Sequence, residues 1–193
     1  MTGYLKLRRK VLNLLRTELT NDLRYHGIAH TLGVLKVCND YIRREKLSSE
    51  ESKLLRTGAI CHDLGFTVSY DDHEEHSVII ASDLMKQYGY SQKNIKVVIG
   101  LINATKVPQS PKNHLEKILC DADLDYLGRS DYNKISDLLF QELNAFGQIS
   151  SREEWREIQI SFLEKHQYHT PFARKNRQPG KERRLHELRE QKN

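Results

Sequence analysis

Residues 48–65 of the chain read SSEESKLLRTGAICHDLG and carry the pattern of a helix that begins and ends within them. Ser48 followed by Glu51 is the signature of a capping box, in which each side chain hydrogen-bonds the backbone N–H of the other residue. Apolar residues follow at helical spacing, and Gly65 is a typical helix stop. The stretch therefore predicts an α-helix that runs to about Leu64.

The same helical periodicity recurs along most of the chain. Apolar residues repeat at helical spacing over residues 4–19, 29–46, 91–104, 114–127, 131–146 and 151–166. Asp72 with Glu75, and Ser150 with Glu153, predict two further capped helix starts, and Gly89 predicts the end of the helix that begins near Asp72. The sequence has no alternation of strand type and no hairpin turn signal. We therefore predict an all-α fold, a single helical bundle.

Length and cysteine content set further limits on the class of protein. A chain of 193 residues suits one domain, and no apolar run approaches the roughly 20 residues that a membrane span requires. The three cysteines form no disulfide pattern, which is typical of a reducing compartment. The charged N-terminal sequence does not have the pattern of a secretory signal. We expect a cytoplasmic protein with no membrane partner.

The C-terminal residues 174–193 account for the whole net charge of the chain, which is +5. They hold three acidic residues and eight basic ones: Arg174, Lys175, Arg177, Lys181, Arg183, Arg184, Arg189 and Lys192. We therefore predict one domain over residues 1–173, followed by a basic tail over residues 174–193. Such a tail could attract nucleic acid, anionic lipid or a phosphorylated substrate, or could serve only as a solvated segment.

Two sites place charged residues in apolar surroundings. His62-Asp63 ends the apolar stretch GAICHDLG (58–65), and Asp123 lies in KILCDADLDYLG (117–128). A buried charge must be paired or bound to a metal, because burying it alone costs several kcal/mol. Imidazole and carboxylate ligands suit Mn²⁺, Fe²⁺, Co²⁺, Ni²⁺, Zn²⁺ or, with water, Mg²⁺. Each residue taken singly could equally be a core histidine or a helix-capping aspartate.

Four stretches together resemble the HD superfamily of metal-dependent phosphohydrolases: YHGIAHTLGV (25–34), AICHDLGF (59–66), DHEEHS (72–77) and DADLDYLG (121–128). The resemblance implies an all-α fold with one divalent ion held by His30, His62, Asp63 and Asp123. It selects Asp123 over Asp121 and Asp125, because the superfamily motif reads Ala-Asp at that point. The pattern is most similar to a bacterial subgroup of predicted HD phosphohydrolases, a likeness that implies little about the substrate.

The resemblance also suggests two catalytic groups beside the metal ligand Asp63. The YHxxxH segment is similar to class I cyclic-nucleotide phosphodiesterases, in which the first histidine protonates the leaving oxygen, so His26 is the candidate acid. Related HD enzymes carry a carboxylate after the HD pair that orients the attacking water. Glu74 is the candidate for that role, and Glu75 could exchange roles with it.

Three further residues are candidates for binding the substrate. His73 and His76 lie near a predicted helix N-terminus, which favours anions, and Lys106 could hold a substrate phosphate as a point charge. A second metal would need more ligands, and His73 or His114 could serve as one.

We therefore expect an enzyme: a monometal phosphohydrolase, either a phosphomonoesterase or a phosphodiesterase. Its expected substrate is a nucleotide or a related small phosphorylated metabolite, attacked by metal-activated water. The alternative is a non-catalytic module that binds a nucleotide or nucleic acid through the cleft and the basic tail. An HD-type oxygenase is a third interpretation, but it needs additional histidine ligands for a second iron. A homodimer is favoured only by its general frequency among proteins.

Overall fold

The computed structural model describes residues 2–190, and within that range the chain is all-α, with ten α-helices and no β-strand. The helices are α1 (Thr2–Thr17), α2 (Ile28–Glu45), α3 (Ser49–Cys61), α4 (His73–Gln87), α5 (Gln92–Thr105), α6 (His114–Asp123), α7 (Tyr132–Ala145), α8 (Arg152–Lys165), α9 (Pro171–Asn176) and α10 (Gln178–Glu190). Two short 3-10 helices follow α3 and α6, at Leu64–Thr67 and Asp125–Gly128. The predicted all-α class is confirmed.

The predicted capping box at the start of α3 is confirmed. The Ser48 hydroxyl accepts a hydrogen bond from the Glu51 backbone N–H over 3.2 Å, and the Glu51 carboxylate accepts one from the Ser48 N–H over 2.9 Å. Two of the helix-terminal N–H groups that have no partner inside α3 are satisfied in this way. The cap fixes where α3 begins, and α3 in turn carries His62 at its C-terminal end.

The two other predicted caps are wrong in different ways. Asp72 makes no side-chain capping bond and has a left-handed backbone with φ of 52°, while its carboxylate lies 3.6 Å from the Lys106 ammonium. Helix α8 begins one residue later than predicted, because Ser151 accepts the capping bond from the Glu154 N–H. Ser150 instead donates to the Glu154 carboxylate. Local sequence could not choose between two adjacent serines that are chemically identical.

The contacts divide the chain into two compact units, and the first comprises Met1–Thr20 and His26–Ala122. In it α2 packs on α3, α3 packs on α5, and α4 packs on α5 and on the 3-10 helix Leu64–Thr67. The close approach of α4 depends on Gly65, where a Cβ atom would lie 1.9 Å from the backbone oxygen of His73. Fully buried aliphatic side chains fill its interior, among them Leu55, Ile60 and Leu101.

The second unit comprises Asn21–Tyr25 and Asp123–Asn193. Its core is rich in tyrosine and consists of Tyr25, Leu124, Tyr126, Leu127, Tyr132, Leu163, Tyr168 and Ala173. Helix α10 packs on α8, on α9 and on the 3-10 helix Asp125–Gly128. Residues of the predicted basic tail thus form the end of α9 and all of α10, and Lys192 lies outside the described residues. The predicted domain boundary at residue 173 stays a prediction.

None of the described helices combines the length and the apolar character that a membrane span requires.

Candidate metal centre

Three ligand-type side chains converge from α2, from the end of α3 and from the end of α6. One potential ligand atom from each of His30, His62 and Asp123 lies within 4.8 Å of the other two. His30 lies in the first turn of α2, His62 directly follows α3, and Asp123 is the last residue of α6.

The two histidines present ring nitrogens to the same point. Their Nε2 atoms lie 3.2 Å apart, and Nδ1 of His62 lies 3.0 Å from the carbonyl oxygen of Ala59. We assign the His62 hydrogen to Nδ1, which donates to that carbonyl and leaves the Nε2 lone pair directed at His30. Two such lone pairs repel unless a proton or a cation lies between them. A backbone carbonyl behind a ligating imidazole is a common arrangement in metal sites.

The carboxylate of Asp63 lies beside both histidines. Its Oδ2 atom is 3.3 Å from His30 Nε2 and 3.1 Å from His62 Nε2, and the residue is buried. Burial alone would raise the pKa of Asp63, but the positive charge that His62 carries when a second proton lies on its Nε2, together with the nearby ring nitrogen of His30, holds it well below its ordinary value. The carboxylate is therefore ionised. A cation at this point would stabilise it in the same way that the histidines do.

The donor set fits a divalent metal ion. Two imidazole nitrogens and two carboxylates are the ligands that Mn²⁺, Fe²⁺, Co²⁺, Ni²⁺ and Zn²⁺ accept, and Mg²⁺ is compatible with the carboxylates. Cys61 precedes His62 and is fully buried, and burial raises its pKa to about 12. It therefore stays a neutral thiol at physiological pH, which suits a packing residue rather than a ligand or nucleophile.

An aromatic stack lies beside the metal ligands. The Phe66 ring stacks on His73 at a centroid distance of 4.0 Å and on His26 at 4.4 Å. His26 precedes α2, so it does not share a helix with His30, but the two rings meet edge to face at 5.8 Å. Phe66 was not among the site residues predicted from the sequence. Its position three residues after Asp63, at the end of AICHDLGF, was the available signal.

His73 connects the stack to the acidic groups. Its Nε2 atom lies 3.8 Å from Asp63 Oδ1 and 3.5 Å from Glu74 Oε1. Burial lowers the pKa of His73, although the charges of Asp63 and Glu74 act in the opposite direction. The structure thus brings His73 close to both Asp63 and Glu74, and it brings His26 into ring contact with His30 and Phe66.

Lys106 and Glu75 form the outer edge of this group. The Lys106 ammonium lies 3.5 Å from Glu75 Oε1 and is about half exposed. Desolvation would lower the pKa of Lys106, but the negative charges of Glu74, Glu75 and Asp72 raise it, so the side chain is cationic. Glu74 is 8% exposed as a residue, whereas the side chain of Glu75 is 69% exposed.

Of the other residues considered as ligands or substrate contacts, one is half-buried and two form ion pairs with other residues. His76 is half-buried and lies one turn along α4 from His73. His114 pairs with Glu45, away from the cluster of His30 with His62. Asp125 pairs with Arg177 over 2.6 Å, which makes it a structural group rather than a ligand.

Comparison with models of protein families shows a match. The family model of the HD domain matches residues 27–125, just over half of the chain. This range contains the four candidate ligands together with Phe66, His73 and Glu74, and it ends two residues after Asp123. Comparisons with curated proteins and with solved structures find no significant match.

Proposed function

Since this chain belongs to the HD domain family, we propose that it is a metal-dependent phosphohydrolase that cleaves a phosphoester or pyrophosphate bond. The expected substrate is a nucleotide or a related small phosphorylated metabolite. The observation that carries the proposal is the convergence of His30, His62 and Asp123 within 4.8 Å, with the ionised Asp63 beside the two histidines. HD domains bind divalent metals and are generally hydrolases.

His30, His62, Asp63 and Asp123 would hold one divalent ion. When bound, such an ion acts as a Lewis acid on a phosphoryl oxygen and makes water a nucleophile near neutral pH. The protein's own contribution begins with orientation. The Ala59 carbonyl fixes the His62 ring over 3.0 Å, and burial keeps competing water away from Asp63.

Glu74 is the carboxylate that we assign to the attacking water. It is largely buried and lies 3.5 Å from His73 Nε2, whereas Glu75 is exposed and paired with Lys106. A buried carboxylate next to the candidate ligands can accept a proton from water as a general base. His73 orients Glu74 and lies between it and Asp63. Glu74 rather than Glu75 is therefore the proposed catalytic carboxylate.

His26 is the proposed proton donor to the leaving oxygen. Its ring is fixed by stacking on Phe66 and by the edge contact with His30, so its nitrogens keep a defined direction. A histidine suits this role because its ordinary pKa lies near physiological pH. His73, which also stacks on Phe66, and His76 are proposed contacts to the substrate phosphate.

Lys106 is proposed to supply positive charge to the substrate phosphate. It already lies within 3.6 Å of Asp72 and 3.5 Å of Glu75, so a phosphate would compete with these carboxylates for the ammonium. Because the ammonium is about half exposed, it can turn towards a ligand at little cost in desolvation. Its contribution is therefore to substrate affinity rather than to the chemical step.

The alternative, a non-catalytic module that binds nucleic acid through the basic tail, has weaker support. Several of its basic side chains make contacts within the second unit: Arg174 with the Tyr168 carbonyl, Arg177 with Asp125, Lys181 with the Leu163 carbonyl, Arg184 with Glu187 and Arg189 with Glu164. Phosphate contacts in nucleic-acid complexes require cationic side chains that can leave their present partners. We therefore prefer the catalytic proposal.

The test measures metal content and hydrolysis on the same preparations. Protein purified without chelator is compared with the double variant His62→Ala/Asp63→Ala, and with His186→Ala as a control for loss of an exposed histidine outside the site. The substrates are chromogenic phosphate monoesters and diesters, nucleoside monophosphates, cyclic nucleotides and pyrophosphate-containing nucleotides. We expect about one divalent ion per chain and hydrolysis of at least one substrate class, both lost in the double variant alone.

Two outcomes would contradict the proposal. Absence of bound metal after incubation with Mn²⁺, Fe²⁺ and Zn²⁺ would remove its basis and favour the binding module. Bound metal without hydrolysis of any substrate class would separate metal binding from catalysis and leave only the metal site.

A further inference from the structure

The chain directly after Asp123 is held by residues from the C-terminal part of the second unit. The Leu124 carbonyl accepts a hydrogen bond from the Tyr168 hydroxyl over 3.2 Å. The Asp125 carboxylate accepts one from Nε of Arg177 over 2.6 Å, and both Asp125 and Tyr168 are buried. Two consecutive residues after a candidate ligand are therefore fixed by side chains that lie more than 40 positions away in sequence.

Backbone packing reinforces these two hydrogen bonds. A Cβ atom on Gly180 would lie 2.1 Å from the Gly128 carbonyl oxygen, and one on Gly128 would lie 2.2 Å from the Arg177 carbonyl oxygen. The start of α10 thus touches the 3-10 helix Asp125–Gly128 main chain to main chain, which only glycine at both positions allows. This contact holds the C-terminal end of the 3-10 helix Asp125–Gly128, whereas the two hydrogen bonds hold its N-terminal end.

The C-terminal segment is itself anchored. The buried Lys181 ammonium donates to the Leu163 carbonyl over 3.0 Å and also to the His166 carbonyl, at the C-terminal end of α8. These are helix-terminal carbonyls that lack partners inside α8, so Lys181 caps that helix. Segment 166–181 is therefore tied to α8 at one side and to the residues after Asp123 at the other.

We propose that Tyr168 and Arg177 are positioning residues for Asp123, and that segment 166–181 completes the candidate metal site from outside the residues that match the HD domain model. The proposal rests on the metal-dependent function proposed above. Asp123 is the last residue of α6, where the helix no longer restrains the chain on both sides. Fixing the following backbone keeps its carboxylate beside the two histidines before an ion binds, so less conformational entropy is lost on binding.

The experiment compares Mn²⁺ affinity in full-length variants. Tyr168→Phe removes one hydroxyl, and Arg177→Gln removes the charge that pairs with Asp125. Arg189→Gln is the matched control, because Arg189 also links α10 to α8 through its 2.5 Å ion pair with Glu164 but does not contact residues 124–128 in that pair. Free Mn²⁺ is followed by electron paramagnetic resonance, and the melting temperature is recorded in chelator. Hydrogen exchange at residues 123–127 is measured on the same metal-free samples.

We expect Mn²⁺ affinity to fall about tenfold in Tyr168→Phe and up to about 100-fold in Arg177→Gln, the range found when groups behind metal ligands are removed. Hydrogen exchange at residues 123–127 should rise in both variants, and the control should match the wild type in both measurements. If Arg177→Gln does not fold, because Asp125 keeps a buried charge, Tyr168→Phe decides the outcome alone. Wild-type Mn²⁺ affinity in the folded variants would overturn the inference. Failure of the wild type to bind metal would instead overturn the proposed function, and the inference with it.

Discussion

The Nε2 atoms of His30 and His62 lie 3.2 Å apart although the two residues are 32 positions apart in sequence. Helix α2 supplies the first ring and the end of α3 supplies the second, and α2 packs directly on α3. The Asp63 carboxylate lies within 3.3 Å of both nitrogens. Two imidazole nitrogens and a negatively charged carboxylate oxygen are thus concentrated at one buried point. A cation bound there would stabilise this arrangement.

Metal addition should therefore raise the stability of the protein. At a free ion concentration of 100 times Kd, the free energy of unfolding should rise by about 2.7 kcal/mol. For a chain of this size that corresponds to an increase in melting temperature of about 5–10 °C. Differential scanning calorimetry of chelator-treated protein, with and without Mn²⁺ or Zn²⁺, measures the shift.

His62→Ala should abolish that shift because it removes one of the converging nitrogens, whereas His186→Ala, which alters an exposed histidine of α10, should retain it. An equal shift in the His62 variant would mean that the ion binds elsewhere.

Glu74 and Glu75 are adjacent, but their environments differ, so the same substitution should have different effects on kcat at the two positions. Glu74→Gln removes the buried carboxylate beside His73 and should lower kcat by about 100-fold or more, with little change in KM. Glu75→Gln frees Lys106 from one ion pair and should leave kcat near the wild-type value. Steady-state kinetics on the substrate identified by the panel gives both constants. A larger loss of kcat in Glu75→Gln would reverse the assignment.

Alanine substitutions at Gly65 and at Gly33 should have opposite effects on the stability of the protein. At Gly65 a Cβ atom would lie 1.9 Å from the His73 backbone oxygen, so Gly65→Ala must displace α4. We expect it to cost about 3 kcal/mol, at the upper end for overpacking of a core. At Gly33, in the middle of α2, a Cβ atom would meet nothing within 4 Å, and Gly33→Ala should stabilise the protein by about 0.5–1 kcal/mol.

Urea unfolding of the two glycine variants measures both changes in the free energy of unfolding. Similar stability in the two variants would show that the backbone of α4 does not pack closely against Gly65.

His166 predicts part of the pH dependence of stability. Burial lowers its pKa to about 3, assisted by the charges of Lys181 and His169 and opposed by that of Asp123. Its ring stacks on Phe162, and neither ring nitrogen has a hydrogen-bond partner. Below the ordinary histidine pKa of 6.5 the unfolded chain binds a proton that the folded chain does not, so stability falls as the pH falls.

The variant His166→Phe should keep the stacking and lose this pH dependence. Between pH 6.5 and pH 5 the wild type should lose, relative to the variant, up to about 1.4 kcal/mol of unfolding free energy per pH unit. Urea unfolding at several pH values in the presence of chelator measures the difference. Parallel pH profiles of the two proteins would show that His166 is protonated in the folded state.

Local sequence signals predicted the helices well where the signal and its partner are close in the chain. Ser48 and Glu51 cap α3 as predicted, because both partners lie within one helical turn. Asp72 carries the same kind of signal, yet its carboxylate lies near Lys106, which is 34 residues away in sequence. The predicted helix over residues 114–127 ends at Asp123, where Tyr168 and Arg177 take up the following polar groups. Partners that are distant in sequence decided both differences.

The sequence by itself determined the all-α class and the residue types of the candidate site, because helical periodicity and buried His and Asp residues are local properties of the chain. The tertiary structure decided which of these residues meet: Phe66 with both His26 and His73, His114 with Glu45, and Asp125 with Arg177. It also decided the role of the C-terminal charges. Read along the chain, they form a basic tail, but Arg177, Lys181 and Arg189 are held by carboxylates and helix-terminal carbonyls that only folding brings near them.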